Sequence, residues 1–232
     1  MGETEQIIRF ELLGSFSYSA RKKPGKKTLS FLQYLIMNRS RNISMEELIE
    51  VFWTESNSSD PANALRNMLF KIRNLLKDMF PEQTDLLRTL QGCYGWNPKI
   101  RIELDTEEFE STCLEARQCS GKAALALLRR AASFYKGDLL LGNDSEWVTV
   151  PRQYYRTLYL DVCKALLPLL ETEEEWTEMA AVCSQGYHAD PYMEEFTAYQ
   201  MRAFIAMGQP EQAMDRYEVF RKRILKDLGI SP

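Results

Sequence analysis

The sequence predicts a mainly α protein with a small β component, on three observations. Short alternating stretches rich in β-branched and aromatic residues flank three amphipathic segments in the first 100 residues. Capped helical segments joined by short turns fill the chain from Asp105 onward, and no apolar run approaches the roughly 18 residues of a membrane span. Strands, three helices, a hairpin and then helices alone is the order of a winged helix-turn-helix followed by a helical bundle, with residues 1–100 and 101–232 as the two domains.

The stretch IIRFELLGSFSYS alternates, so residues 6–19 are expected as short strands broken near Gly14. Residues 29–38 form the first helix, with Leu29, Leu32, Leu35 and Ile36 on one face. The second, SMEELIEVFW, opens with a capping box of Ser44 and Glu47. The third, over residues 61–80, has Asp60 as N-cap and Pro61 in its first position, and it stops before Pro81. DLLRTLQGCYGWNP then gives two short strands with a turn near Gln91 and Gly92.

Asp105 and Glu108 form a second capping box for a helix ending near Cys119, and residues 122–135 form another, ended by Gly137. Pro151 opens a long helix to about Leu170, and residues 173–188 the next; Asp190 and Pro191 open a helix closed by Gly208, and Pro210 one closed by Gly229. In GQPEQAMDRYEVF the spacing of Gly208, Ala213 and Tyr217 resembles the tetratricopeptide pattern, in which a small residue lets two helices approach and an aromatic fills the gap beside them. The expected architecture is therefore a tetratricopeptide-like helical bundle rather than a regular array. Its aromatics Trp147, Tyr154, Tyr155, Trp176, Tyr187, Tyr192, Phe196 and Tyr199 either pack the core or line a ligand groove.

Charge is spread unevenly on a chain of net charge −4. Residues 1–100 carry 14 Lys/Arg against 11 Asp/Glu, and residues 101–232 carry 15 against 22. Arg21, Lys22, Lys23, Lys26, Lys27, Arg39 and Arg41 lie between Glu11 and Glu46 with no acid among them, so the first half is the one expected to meet an anion. The five cysteines never stand as CxxC and suit reduced core positions of a cytoplasmic protein. His188 is the only histidine, the GKKT stretch at Gly25 lacks the upstream glycine of a phosphate loop, and no metal spacing occurs, so neither an enzyme nor a cofactor is expected. The start MGETEQIIRF has no signal-peptide pattern, and Gln6 departs from the myristoylation motif.

The segment NALRNMLFKIRNLLK contains four basic residues and no acidic one. At about 100° per residue, Leu65, Leu69, Ile72 and Leu76 share one face, flanked by Met68 and Leu75. The opposite face carries Asn63, Asn67, Phe70 and Asn74, bordered by Arg66, Lys71 and Lys77. That face suits a major groove, because Asn reads adenine edges, Arg reads guanine edges and Lys meets phosphate, while Phe70 suits a thymine methyl. A polar outer face that is simply solvated is the alternative. Arg73 lies on the boundary, suited equally to a carboxylate partner or to a phosphate.

FELLGSF, SMEELIEVFW, ALRNMLFKIRNLLK and the GCYGW hairpin together resemble the OmpR-type winged helix of bacterial activators of the Streptomyces antibiotic regulatory protein family. DTEEFE, AASFYKGDLL, DPYMEEFTAYQMRAFIAMG and YEVFRKRILKDLGISP resemble the bacterial transcriptional activation domain of the same family. The resemblance implies a regulator that binds double-stranded promoter DNA through the third helix and the wing. It also implies a tetratricopeptide-like domain that supports homodimer contacts and engages RNA polymerase. By position, Arg66, Asn67, Lys71, Arg73, Asn74 and Lys77 are the groove and phosphate candidates. In the wing, where an Arg is common in the family, Gln91 stands, with Arg88 the nearest charge; Phe70 occupies a place often polar, suited also to packing on the second domain. The competing class is a protein-interaction adaptor, whose winged helix no longer binds DNA and whose bundle holds a peptide or effector.

Overall fold

The computed structural model describes residues 7–18, 20, 23–54 and 60–230, and its chain divides into two units. The first comprises residues 1–12, 16–104 and 140–149; the second comprises residues 13–15, 105–139 and 150–232. Arg21 and Lys22 of the basic run, and Gln6 and Ser19 of the expected strands, lie outside the described residues.

In the first unit, β1 (Ile7–Phe10) pairs in parallel with β5 (Arg101–Leu104), and β2 (Ile43–Ser44), β4 (Cys93–Trp96) and β3 (Leu87–Leu90) form an antiparallel sheet in that order. The expectation of strands through residues 6–19 is corrected. Among the described residues there only β1 forms as a strand, with an isolated bridge at Leu13, and Phe16 and Tyr18 stack as rings without strand pairing. Three helices complete the unit: α1 (Lys26–Met37), α2 (Met45–Trp53) and α3 (Pro61–Met79). The Ser44 hydroxyl caps α2 by accepting from the Glu47 N–H. The other half of the expected capping box is not made, because the Glu47 carboxylate is taken by Arg41 and by the Tyr34 hydroxyl. Hydrogen bonds from Arg41 hold the Glu47 carboxyl below its usual range, and burial together with Glu47 pushes Tyr34 up to about 12.

Helix α1 is buried on more than the single face expected of it, from Ser30 through Ile36. The reason is the segment at residues 140–149. Asn143 donates to the Gln33 side-chain oxygen at 2.7 Å and to the Ser30 hydroxyl at 3.2 Å, and Trp147 donates to Ser30 and packs edge-on against Tyr34. From the other side, Trp96 donates to the Leu35 carbonyl at 2.8 Å. Asn143→Ala strands the Gln33 oxygen in a buried site, and we expect a loss of about 1–3 kcal/mol in chemical denaturation.

The second unit is helical: α4 (Asp105–Arg117), α5 (Gly121–Phe134), α6 (Thr149–Thr172, its first residue in the other unit), α7 (Trp176–Ala189), α8 (Glu194–Ala206) and α9 (Pro210–Leu228). α4 packs on α5, α7 on α8 and α8 on α9, as short connections dictate. Two starts differ from expectation. α7 begins at Trp176, after Glu174 turns at φ 58°, and α8 begins at Glu194 because the Asp190 carboxylate accepts from the Tyr192 N–H, closing a turn that delays the helix. Asp138 is held between Arg156 and the Tyr135 hydroxyl, and Arg129 grips Glu178 side-on.

The tetratricopeptide-like close approach falls one hairpin earlier than the Gly208 motif suggested. Gly186 of α7 lies against the ring of Phe196 on α8 so closely that a Cβ there would stand 2.6–2.7 Å from three ring carbons. Ala203 of α8 and Ala213 of α9 are both buried.

Candidate nucleic-acid interface

Helix α3 is fixed at both ends by its own sequence. Asp60 accepts from the Asn63 N–H at 2.9 Å, Pro61 occupies the first turn, and the Phe80 N–H closes on the Leu76 carbonyl at 2.8 Å. Leu65, Met68, Leu69, Ile72, Leu75 and Leu76 are all buried, which fixes the rotation of the helix. Asn63, Arg66, Asn67, Phe70, Lys71, Arg73, Asn74 and Lys77 are consequently all exposed. The structure thus brings the helical candidates onto one outward surface that contains four basic side chains, three amides and a ring 65% exposed, and no carboxylate from Asn63 to Lys77.

The wing is the β3–β4 hairpin. Gln91 and Gly92, at φ 49° and 82°, both adopt the positive φ that a two-residue type I′ turn requires. Its tip presents Leu90, 55% exposed, with Gln91 and Gly92. Arg88 is half-buried and paired with Asp85 at 3.2 Å. Arg73 is not turned to a carboxylate: its Nη2 donates to the Thr89 hydroxyl at 2.8 Å, tying the side of α3 to strand β3 of the wing. Sequence reasoning missed Thr89, whose proximity to Arg73 depends on the sheet register.

The basic run is used differently. Lys27 lies 4.5 Å over the ring of Trp53, where burial lowers its pKa, and Arg39 donates to the Ile102 carbonyl. Arg39 and Arg41 border a depression of about 370 Å³ with Leu90, Trp96 and Asn97. Lys23 and Lys26 are exposed.

Residues 104–232 match the bacterial transcriptional activator domain, more than half of the chain. The chain belongs to the bacterial transcriptional activator domain family. Its resemblance to Streptomyces antibiotic regulatory protein activators is supported along the rest of its length. Regulatory protein AfsR of Streptomyces coelicolor is 25% identical over 99% of this chain, which spans 23% of AfsR. Mycobacterium tuberculosis EmbR, solved in complex with a low-affinity phosphopeptide, superposes with a TM-score of 0.69 at 19% identity over 97% of this chain and 61% of the EmbR chain. The EmbR match shows the shared fold, a winged helix followed by a tetratricopeptide-like helical unit. The activator-domain family is a family of transcriptional regulators, and no helix among the described residues is long and apolar enough to cross a membrane.

Proposed function

We propose that the chain is a sequence-specific, double-stranded DNA-binding transcriptional activator. Its first unit reads promoter DNA through α3, and its helical unit engages RNA polymerase and a second copy of the chain. The observation that carries this reading is the outward face of α3, acid-free from Asn63 to Lys77 and exposed while the apolar face opposite is buried. Arg66, Asn67 and Asn74 supply hydrogen-bond donors and acceptors for base edges, Phe70 an apolar surface for a thymine methyl, and Lys71 and Lys77 counter-charge for phosphates. A net acidic chain with one basic face meets DNA in one orientation only, which favours register over indiscriminate sticking.

Fluorescence anisotropy against duplexes from the protein's own upstream region, with a scrambled duplex as control, tests it at two salt concentrations. Tight binding to particular duplexes with a steep loss at high salt is expected, because each neutralised phosphate releases counterions. Weak, uniform binding at both salts would overturn the reading in favour of the adaptor. That reading draws on the wing, where Arg88 is paired with Asp85 and the tip carries Gln91.

Arg73 can be assigned separately. If it also meets a phosphate, Arg73→Ala lowers affinity about three- to tenfold, whereas Thr89→Val, which only frees the guanidinium from the wing, changes it less than about twofold. Equal losses in the two variants would instead make the link between helix and wing the part that matters.

A further inference from the structure

Helix α9 carries more apolar surface than its own unit covers. Ala213, Phe220 and Ile224 form its buried face, α9 packs on α8, and Arg216 and Arg223 stand over the Tyr187 ring of α7. At about 100° per residue, the flank opposite Arg216 and Arg223 carries Glu211, Met214, Glu218, Arg221, Leu225 and Leu228, spaced alternately three and four residues apart. Glu218 is half-buried and paired with Arg221 at 3.0 Å; the other five are exposed, Met214, Leu225 and Leu228 by 52–57%. Single exposed apolar residues are ordinary on a surface. Three of them in the seam positions of a heptad form the narrow stripe by which one helix packs on another.

The charges on the stripe indicate which helix that is. Asp215 and Lys222, both exposed, border it on the side away from the buried face. When a second α9 is set antiparallel, with the two-fold axis between Glu218 and Arg221, Met214 falls opposite the partner's Leu225 and Glu218 opposite the partner's Arg221. Asp215 then stands beside the partner's Lys222, and Leu228 lies over the methylene stem of the partner's Glu211. Each contact occurs twice. Set parallel, the same seam would bring Glu218 against Glu218 and Arg221 against Arg221, and like charges so placed oppose association. The order apolar, acid, base, apolar thus complements its own reverse, which an isologous contact requires and an unrelated partner does not.

We propose that, on the reading that the helical unit meets a second copy of the chain, it does so along this stripe, α9 pairing antiparallel with α9 of the partner across a two-fold axis. The two Glu218–Arg221 pairs close into one network of four charges, flanked at each end by Met214 and Leu225. A helix of 19 residues offers a seam of about 28 Å, so the contact belongs to the small, reversible class.

The test is sedimentation equilibrium of the full chain without DNA, over about 1–300 μM. The parent is expected to pass from monomer to dimer within that range, and Leu225→Asp to weaken the dimer at least tenfold. Glu218→Arg and Arg221→Glu are each expected to weaken it as much, because each sets like charges across the axis. An equimolar mixture of those two variants is expected to dimerise within about threefold of the parent affinity, since their altered seams complement each other. Misfolded chains could not do this, and each variant should melt within about 2 °C of the parent at about 1 μM. Charge variants that dimerise like the parent, or a mixture no tighter than its components, overturn the antiparallel seam. A parent dimer that Leu225→Asp leaves intact overturns the stripe while keeping the second copy as a partner of the helical unit. A parent that is still monomeric at about 300 μM overturns the second copy itself. DNA binding by α3 is read in a separate experiment and stands or falls independently of all three outcomes.

Discussion

Gly186→Ala is expected to lower the stability of the helical unit by about 2–3 kcal/mol and its melting temperature by about 6–12 °C. On helix propensity alone the change should stabilise α7 by about 1 kcal/mol. Packing reverses the sign. The new methyl would stand 2.6–2.7 Å from three ring carbons of Phe196, against the roughly 3.5–4.0 Å at which carbon atoms attract. Phe196 is fully buried, so the ring cannot swing into solvent. Relief requires α7 and α8 to move apart, which disturbs the Gln200 hydrogen bonds to the Ala180 carbonyl and the Ser184 hydroxyl. Thermal and urea unfolding of the single variant, and of Gly186→Ala with Phe196→Leu, measure the effect. The double variant should lose less than the sum of its parts, because the smaller side chain frees the space that the methyl needs. A single variant more stable than the parent would show that the two helices are not held at this distance.

The second large effect concerns α3. Asn67→Ala and Arg66→Ala are each expected to cost about 1–3 kcal/mol on a matched duplex, roughly 5- to 150-fold in affinity, and little on a scrambled one. Lys71→Ala combined with Lys77→Ala should weaken both duplexes alike and flatten the dependence of log K on log salt by about 2. The contrast is what identifies the contacts, since loss of base readout changes preference while loss of phosphate contact changes affinity and salt response together. All four side chains are exposed, so their removal should leave the melting temperature within about 2 °C of the parent. Anisotropy titrations that return parental values for every variant would remove α3 from the interface.

Much of this molecule was legible because its helices announce their own ends. Asp60, Pro61 and the apolar period through Leu76 specify α3 locally, and the exposed face follows from the buried one. Gln91 and Gly92 likewise give the wing, since the turn chemistry is contained in four residues. Elements that depend on a distant partner were not legible. β2 is two residues long and exists by pairing with β4; β5 is a strand by pairing with β1, some 90 residues earlier. Asp190 and Pro191 carry a helix-start signal, yet the same carboxylate closes a local turn, and a sequence does not say which use prevails. At the interface, exposure of the α3 candidates could be read, whereas the Arg73–Thr89 link depends on the sheet register.

The segment at residues 140–149 has a consequence for the order in which the protein is made. The first unit requires Asn143 and Trp147 against α1, so a ribosome that has released only 104 residues has not yet supplied the parts that finish it. At about 5–20 residues per second, the remaining 45 residues take a few seconds to appear, during which Ser30, Gln33 and Tyr34 stand uncovered. Over the same interval α4 and α5 emerge with adjacent partners and can pair at once. The nascent chain therefore completes a helical hairpin of its second unit before it closes its first.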